Sequence, residues 1–440
     1  MNITIKVDTL IVGAGPTGLT LAQKLQGNIL VIEKESTLGG AHRVRRENGY
    51  FTEHGPRVYS SAYTNTKDIL KEMGTSFEEI FTKYQFDISS IGGQSLSSLN
   101  TRDLALFAIE FGKLLLDSSH GYNTSVYDFM EQNDMSEETK DYIDRMCRLT
   151  DGAPSERYSL LQLLSLVNQQ GLYGLYQPRL PNDIGLFKIW YEYLVSKGVT
   201  FKMSTTIVSL DPKIKHCELS DGSVIQYSQI LLAIPPENIQ RLSETLHIDL
   251  LGKNFEDYAE KTDYLEYISA TFHWNKIIDL PKVWGFPKSK WGLVFIVLSD
   301  YTQFNHPNSR TVISMAVTKK DLVPKEFTKK EILQEMLNQL REAFPDLPEP
   351  TVKLMYRGND TAFIKTPDEP FIPFDTLIPD IYNVGTQNGY SKYHFTSLES
   401  AVSNALAFCD IPVKGPLQIT DTLFIILFTI IITILLMRKL

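Results

Sequence analysis

The chain has 440 residues, 43% of them hydrophobic and 22% charged. That composition supports a large core and more than one structural unit, and argues against disorder. The formal net charge of −9 and pI near 5.5 argue against a broad nucleic-acid surface, which needs clustered Lys and Arg. Arg43, Arg45 and Arg46 form one local cluster, read as a solvated or phosphate-facing loop. Cys147, Cys217 and Cys409 are widely spaced, and the eight histidines show no metal-ligand spacing, so neither disulfides nor a metal site is supported.

In chain order, "VDTLIVGAGPTGLTLAQKLQGNILVIEKE" parses as a buried strand, a glycine turn, an amphipathic helix and a second buried strand. From about residue 65 to 200 the signal is mostly helical, as in "TRDLALFAIEFGKLLLD" and "SLLQLLSLVNQQ". A helix ending near Gly198 leads into strands with a hairpin at Asp221-Gly222, closing on "ILLAIPP". Strands "YISATFHW", "GLVFIVLS" and "RTVISMAV" then accompany the helix "KKEILQEMLNQLREAF". "DIYNVGTQNGY" is a strand running into a loop, and "SLESAVSNALAFC" a helix. The last stretch, "TLFIILFTIIITILLM" over 422–437, has no charge and no helix breaker. It is expected to be a transmembrane tail anchor, although as a helix it spans only ~24 Å of a ~30 Å hydrocarbon core.

The first strand–turn–helix carries the dinucleotide grammar. Gly13 permits the tight turn, Gly15 the approach of a pyrophosphate, and Gly18 the packing of helix on strand. Pro16 and Thr17 open the helix, whose N-terminus favours negative charge. Glu33 ends the second strand, where a carboxylate accepts from ribose hydroxyls, and Lys34 follows it. A second pair, Gly39-Gly40, permits another close approach and suits a longer ligand lying across the sheet edge.

These stretches, with "FTEHGPR", "VTFKMSTTIVSL", "ILLAIPP" and "IYNVGTQNGYSKYHFTSLESAVSNALA", resemble the flavin-containing amine oxidase, protoporphyrinogen oxidase and phytoene desaturase superfamily. The resemblance covers about a third of the chain. It implies an α/β fold, a Rossmann-like FAD-binding domain with an interleaved α+β substrate domain, and the apolar run at 422–437 adds the expected C-terminal transmembrane helix. The FAD-binding domain would comprise 1–85, 197–236 and 376–414; the substrate domain would comprise a helical part, 86–196, and a sheet, 237–375. The resemblance implies cofactor contacts from Gly13, Gly15, Pro16, Thr17, Gly18, Glu33, Lys34, Gly39, Gly40, Arg43, Gly55, Pro56 and Arg57. It adds Ile207 at the adenine and Gly385, Thr386, Leu398, Glu399 and Val402 in the last motif.

Two positions depart from the family. Ala41 stands where Arg is usual, with Arg43 or Arg45 as substitutes for its charge, and Thr386 stands where an acidic residue is usual. Glu399 falls on the family's Glu-x-Ala-Val and has a plain alternative role as a helix cap. No Cys precedes the last motif between 353 and 383, so FAD is expected to be non-covalent. His394 and Ser397 replace the aromatic cage of strict amine oxidases, which puts an amine substrate in doubt. The catalytic candidates are Arg57, Tyr393 and His394, with Tyr390 near them and Tyr173, Tyr176 and Arg179 at an entrance.

The resulting expectation is an FAD-dependent oxidoreductase taking a hydride from a C–N or C–C bond of a small, apolar substrate. No second glycine motif serves NAD(P)H, so oxygen or a quinone is the expected acceptor. The bilayer is the expected partner, with the catalytic part facing the cytosol from the outer mitochondrial membrane or endoplasmic reticulum; nothing fixes the oligomeric state. Two alternatives stay open: a UDP-galactopyranose mutase-like flavoenzyme without net oxidation, and a non-catalytic, membrane-tethered flavin-binding protein.

Overall fold

The computed structural model describes residues 4–84, 99–170, 172–266, 268–280, 284–285, 289–356, 361–364, 371–393, 396–420 and 422–423. The chain opens with β1 (Thr4–Val12), α1 (Pro16–Lys24) and β2 (Ile29–Ile32), then β3 (Val44–Glu47), β4 (Tyr50–Glu53) and β5 (Tyr59–Ser60). Next come α2 (Thr64–Glu72), α3 (Phe77–Ile80), β6 (Phe81–Lys83), α4 (Thr101–Leu114), α5 (Val126–Gln132), α6 (Glu137–Asp151) and α7 (Leu160–Gln170). β7 (Leu175–Pro178) and α8 (Leu186–Ser196) lead into β8 (Thr200–Lys202), β9 (Ile207–Asp211), β10 (His216–Leu219) and β11 (Val224–Leu232). α9 (Pro236–Leu246), α10 (Lys253–Lys261), β12 (Asp263–Glu266), β13 (Ile268–Trp274), β14 (Trp284–Gly285), β15 (Leu293–Val297) and β16 (Thr311–Val317) follow. α11 (Lys329–Ala343), β17 (Val352–Tyr356), β18 (Thr361–Ile364), β19 (Ile381–Asn383) and α12 (Leu398–Phe408) complete the elements.

One sheet runs β8-β2-β1-β11-β10-β9, with β19 also on β11. β1 pairs in parallel with both β2 and β11, as crossover connections require. β2 reads Ile-Leu-Val-Ile and is wholly buried, because helices cover both faces of such a sheet. α1, α8 and α12 contribute to one core on it, including Leu19, Trp190 and Val402. The other core takes Ile239 of α9 and Tyr258 of α10. Those two helices therefore sit beneath the Rossmann sheet, whereas the sequence reading groups 237–375 with the substrate sheet.

The second sheet, β14-β15-β16-β13-β17, is antiparallel. α11 buries one of its faces with Phe272, Trp274, Phe295 and Met315. Because side chains alternate along a strand, Ser269, Thr271 and His273 of β13 face the other way, onto β4. Ser269 Oγ donates to the Glu53 carbonyl (3.1 Å), and His273 Nε2 lies 2.8 Å from the Phe51 carbonyl oxygen. Burial holds the His273 imidazole down at about 4, so it stays neutral there. These polar contacts join the substrate sheet to the hairpin β3–β4 that follows the glycine pair.

The expected C-terminal transmembrane helix is corrected. Among the described residues no helix is long and apolar enough to cross a membrane. The apolar run at 422–437 is itself short of a bilayer core, and 421 and 424–440 lie outside the described residues. The lipid partner and the membrane-anchored, cytosol-facing location fall with it. What is described of this end packs back on the protein: Leu417 N donates to the Tyr173 hydroxyl (2.7 Å), and Thr420 N to Asn168 Oδ1 on α7 (3.2 Å).

Candidate active site

β1 delivers its glycine turn against the end of β11. Gly13 has φ +107°, and a Cβ there would lie 2.6 Å from the Ala233 carbonyl oxygen. A Cβ at Gly18 would lie 2.0 Å from the Gly13 carbonyl oxygen, so no side chain fits. Gly15 faces the second pair: a Cβ at Gly15 would be 3.6 Å from Gly40 Cα. Side chains would fill this strip. Gly15 also caps α1 without a side-chain bond, and the first turn carries no acid. Its N–H groups are left for an anion.

Glu33 is 6% exposed and fixed from both sides. One carboxylate oxygen accepts from Ala14 N (2.9 Å) in the glycine turn, the other from Glu35 N (3.0 Å). Arg43 Nη1 stands 3.9 Å from Glu33 and 3.6 Å from Glu35, and is buried; Arg45 lies 3.7 Å from Glu35 and is more exposed. Arg43 is thus the cation placed beside the cradle that Ala41 lacks. Thr205 N donates to the Glu33 carbonyl (2.8 Å), bringing the segment before Ile207 alongside. Ile207 is buried, whereas Lys34 is exposed to solvent.

The last motif meets the first through α12. Thr17 Oγ1 donates to the Ala401 carbonyl (3.3 Å) across the α1–α12 contact, and Leu398 and Val402 are fully buried in that core. Gly385 N donates to Asn388 Oδ1 (2.7 Å), and Asn383, Gln387 and Asn388 pin the loop around half-buried Thr386. Glu399 is 2% exposed and accepts from Asn65 N (2.8 Å), Asn65 Nδ2 (2.7 Å), Thr66 N (2.9 Å) and Thr66 Oγ1 (2.7 Å). It caps α2, whose own N-cap residue, Tyr63, makes no side-chain bond to the helix end.

The described aromatic candidates each pack against another ring. Tyr393 is buried edge-on against Tyr63, ring centroids 5.3 Å apart, and burial pushes its phenol upward. Tyr390 is half exposed and stacks on Phe374 at 4.8 Å. His394 lies outside the described residues. Of the entrance residues, Tyr173 holds Leu417, Tyr176 packs edge-on against Phe77, and Arg179 Nε donates to the Glu78 carbonyl. None of these three lines the polar pocket.

Their neighbours do. Gln177 and Asn182, with Phe51, Glu53, Arg57, Tyr59, Pro178, Pro181, Leu298 and Thr302, enclose a pocket of about 10 Å³. Arg57 projects from "HGPR", between buried Gly55 and half-buried Pro56 on one side and β5 on the other, and its Nη2 donates to the Ala41 carbonyl. Four buried atoms around this pocket have no hydrogen-bond partner: Glu53 Oε1, Arg57 Nε, Gln177 Oε1 and Asn182 Oδ1. A buried polar group left unmade costs about 1–3 kcal/mol, so four at one place mark a site built for a ligand. Burial, opposed by Ser314 and Arg57, pushes the Glu53 carboxyl up to about 7. Burial also lifts the Tyr59 phenol to about 12, and burial with Arg57 and His54 holds His42 well below its ordinary value. Glu53 lies within the quoted motif "FTEHGPR", and Gln177 and Asn182 lie in "YQPRLPND" (176–183), the stretch that holds the entrance candidates Tyr176 and Arg179. Two-residue alternation along β7 was the available signal, since Tyr176 and Gln177 must face opposite ways.

A glycine turn, a buried carboxylate at the end of β2 and a helix of the last motif packed against α1 fit a flavin-dependent oxidoreductase. Residues 11–73 match the model of an NAD(P)-binding Rossmann-like domain, and 188–358 that of the flavin containing amine oxidoreductases. These matches support the flavin-containing amine oxidase superfamily and FAD as the cofactor, whose non-covalent binding is typical of that family. No curated protein matches the sequence. Among solved structures, the fold is similar to putrescine oxidase bound to putrescine (16% identity, 93% of this chain and 99% of that one, TM-score 0.67). It is also similar to cyclohexylamine oxidase from Brevibacterium oxydans IH-35A (14%, 92% and 98%, TM-score 0.65). An oxidoreductase from Methanosarcina mazei matches at 13% over 92% and 100%, TM-score 0.68.

Proposed function

We propose that this amine oxidase-like oxidoreductase removes a hydride from a C–N or C–C bond of a small molecule held in the Arg57 pocket, with oxygen or a quinone as final acceptor. One observation carries the reading: Arg57, which lines the pocket, donates to the carbonyl of Ala41, the residue directly after Gly39-Gly40. Pocket and cofactor cradle therefore share a wall.

FAD, when bound, supplies the hydride acceptor. The chain's own residues bind and orient. Glu33 would receive ribose hydroxyls, the N–H groups at the start of α1 beside Gly15 would hold the pyrophosphate, and the first turn of α12 would present its positive end to the flavin. Thr386 and Gly385 shape the adjoining loop. The polar face of β13, closed onto β4, keeps bulk water from the pocket.

The test is anaerobic bleaching of the flavin by a panel of amines and of substrates with oxidisable C–C bonds, followed by readmission of oxygen or a soluble quinone. Bleaching by a panel member and recovery with either acceptor supports the reading. Turnover of a sugar nucleotide with no acceptor consumed contradicts it.

A further inference from the structure

Outside the cradle, a second cleft lies among α4, α5 and α7, which share one core. Its walls are held in place by the chain itself. The loop 117–124 joins α4 to α5. Gly121 has φ +82°, and a Cβ there would come within 3.0 Å of Leu160 Cβ and of Leu161 N. Leu161 N donates to the Gly121 carbonyl (3.1 Å) and Leu160 N to the Thr124 carbonyl (2.8 Å), so the loop lies directly on the start of α7. Asp117 Oδ1 accepts from Ser119 N (2.9 Å) and Ser119 Oγ (2.7 Å). At the end of α5, Asn133 Nδ2 donates to the Phe129 carbonyl (2.8 Å), and the Asn133 carbonyl accepts from Arg102 Nη2 of α4 (2.9 Å). The cleft they enclose measures about 570 Å³, within the ~300–1,000 Å³ of small-molecule sites. It shares no lining residue with the Arg57 pocket.

The lining restricts what can enter. Glu110 is 9% exposed, and its charge is met inside the wall: Oε1 lies 2.7 Å from Lys113 Nζ and Oε2 2.5 Å from His120 Nε2. Asp117 adds a second carboxylate, so the lining carries no surplus positive charge for a phosphate or a carboxylate. Phe129 and Leu160 are 6% and 2% exposed, which leaves the ring of Tyr122, 37% exposed, as the apolar surface. A long apolar chain finds too little to lie on. Gln132 and Asn123 bring exposed carboxamides, each with a donor end and an acceptor end. Asn133 keeps Oδ1 as an acceptor beside its committed Nδ2. Hydroxyl groups match such a lining, because each donates one bond and accepts two. A neutral pyranose sugar combines a rim of hydroxyls with an apolar C–H face that a tyrosine ring can cover. We propose that this cleft is a sugar site, in which Gln132, Asn123 and Asn133 Oδ1 meet the hydroxyls and Tyr122 covers the ring. The sugar is docked there and not oxidised, since the cleft is separate from the cradle and from the Arg57 pocket.

The test titrates the holoenzyme with methyl α-glucopyranoside, methyl β-galactopyranoside and methyl α-mannopyranoside, read by saturation-transfer NMR and calorimetry. The same three sugars, coupled to polyacrylamide beads, are offered in parallel. At least one should bind, with a Kd of about 1 mM or tighter. Binding of the free glycoside marks a soluble sugar as the ligand, and retention on the beads alone marks a displayed glycan. Gln132→Ala and Asn123→Ala should each weaken the sugar about five- to tenfold, and Tyr122→Ala at least tenfold. Gln132 and Asn123 lie on the surface, so their variants should keep the wild-type flavin spectrum and thermal midpoint. No sugar bound in either form, or equal binding by the wild type and all three variants, overturns the proposal. So does binding of inorganic phosphate or spermidine in place of the sugars that is lost in those variants.

Discussion

Replacing Glu399 by Gln distinguishes a helix cap from a cofactor ligand. In the wild type one carboxylate oxygen serves Asn65 N and Nδ2, and the other serves Thr66 N and Oγ1. Asn65 and Thr66 occupy the first turn of α2, where N–H groups have no partner within the helix. Gln keeps one acceptor and turns an NH₂ group toward Thr66. The Thr66 hydroxyl can rotate to accept from it; the Thr66 N–H cannot. One buried N–H is orphaned, at about 1–3 kcal/mol, and the remaining bonds lose their charge assistance. The expected loss is about 3 kcal/mol, a large share of a typical ~5–15 kcal/mol total. Urea unfolding followed by far-UV circular dichroism measures it, on samples saturated with FAD so that both states of the comparison are loaded. The midpoint should drop while the flavin spectrum of the folded protein stays unchanged. A Glu399→Gln protein within ~0.5 kcal/mol of wild type, or one of normal stability with an altered flavin spectrum, would refute the capping role.

The remaining predictions concern the cradle and the pocket. Glu53 has its folded pKa raised to about 7 against ~4.3 unfolded, so the folded state holds more protons in that window and stability falls as pH rises through it. Glu53→Gln removes this slope: its urea midpoint should gain on the wild type between pH 5 and 8, and parallel curves would contradict the assignment. Glu33→Gln, which loses a charge and one of the two anchoring acceptors, should weaken FAD at least tenfold by fluorescence titration. Gly18→Ala, whose Cβ meets the Gly13 carbonyl oxygen at 2.0 Å, should yield protein without flavin or no soluble protein; normal flavin content would rule out the packing argument. Stopped-flow mixing with NADPH should leave the flavin oxidised, and rapid bleaching would require a second nucleotide site.

The dinucleotide half was legible because its constraints are local. Three glycines, a strand before them and a carboxylate after them lie within a short βαβ unit, and each is demanded by backbone geometry that few other residues satisfy. The role of Glu399 was open in the sequence because its partners, Asn65 and Thr66, are more than three hundred residues away, and a buried cap and a flavin contact use the same residue type. The pocket was missed for another reason. "YQPRLPND" offers its conspicuous aromatic and basic residues, Tyr176 and Arg179, to packing and to the α3 carbonyl, while the quieter Gln177 and Asn182 turn inward. Only strand pairing of β7 with β5 and β6 decides which face is which. The packing of Tyr393 was not legible either, because its ring partner Tyr63 comes from a distant segment.

The most direct measurement is the visible absorption spectrum of the purified protein before and after acid precipitation. The account predicts flavin bands that pass wholly into the supernatant as FAD, with the pellet colourless. A folded protein that carries no flavin and takes up none on addition of FAD would contradict it.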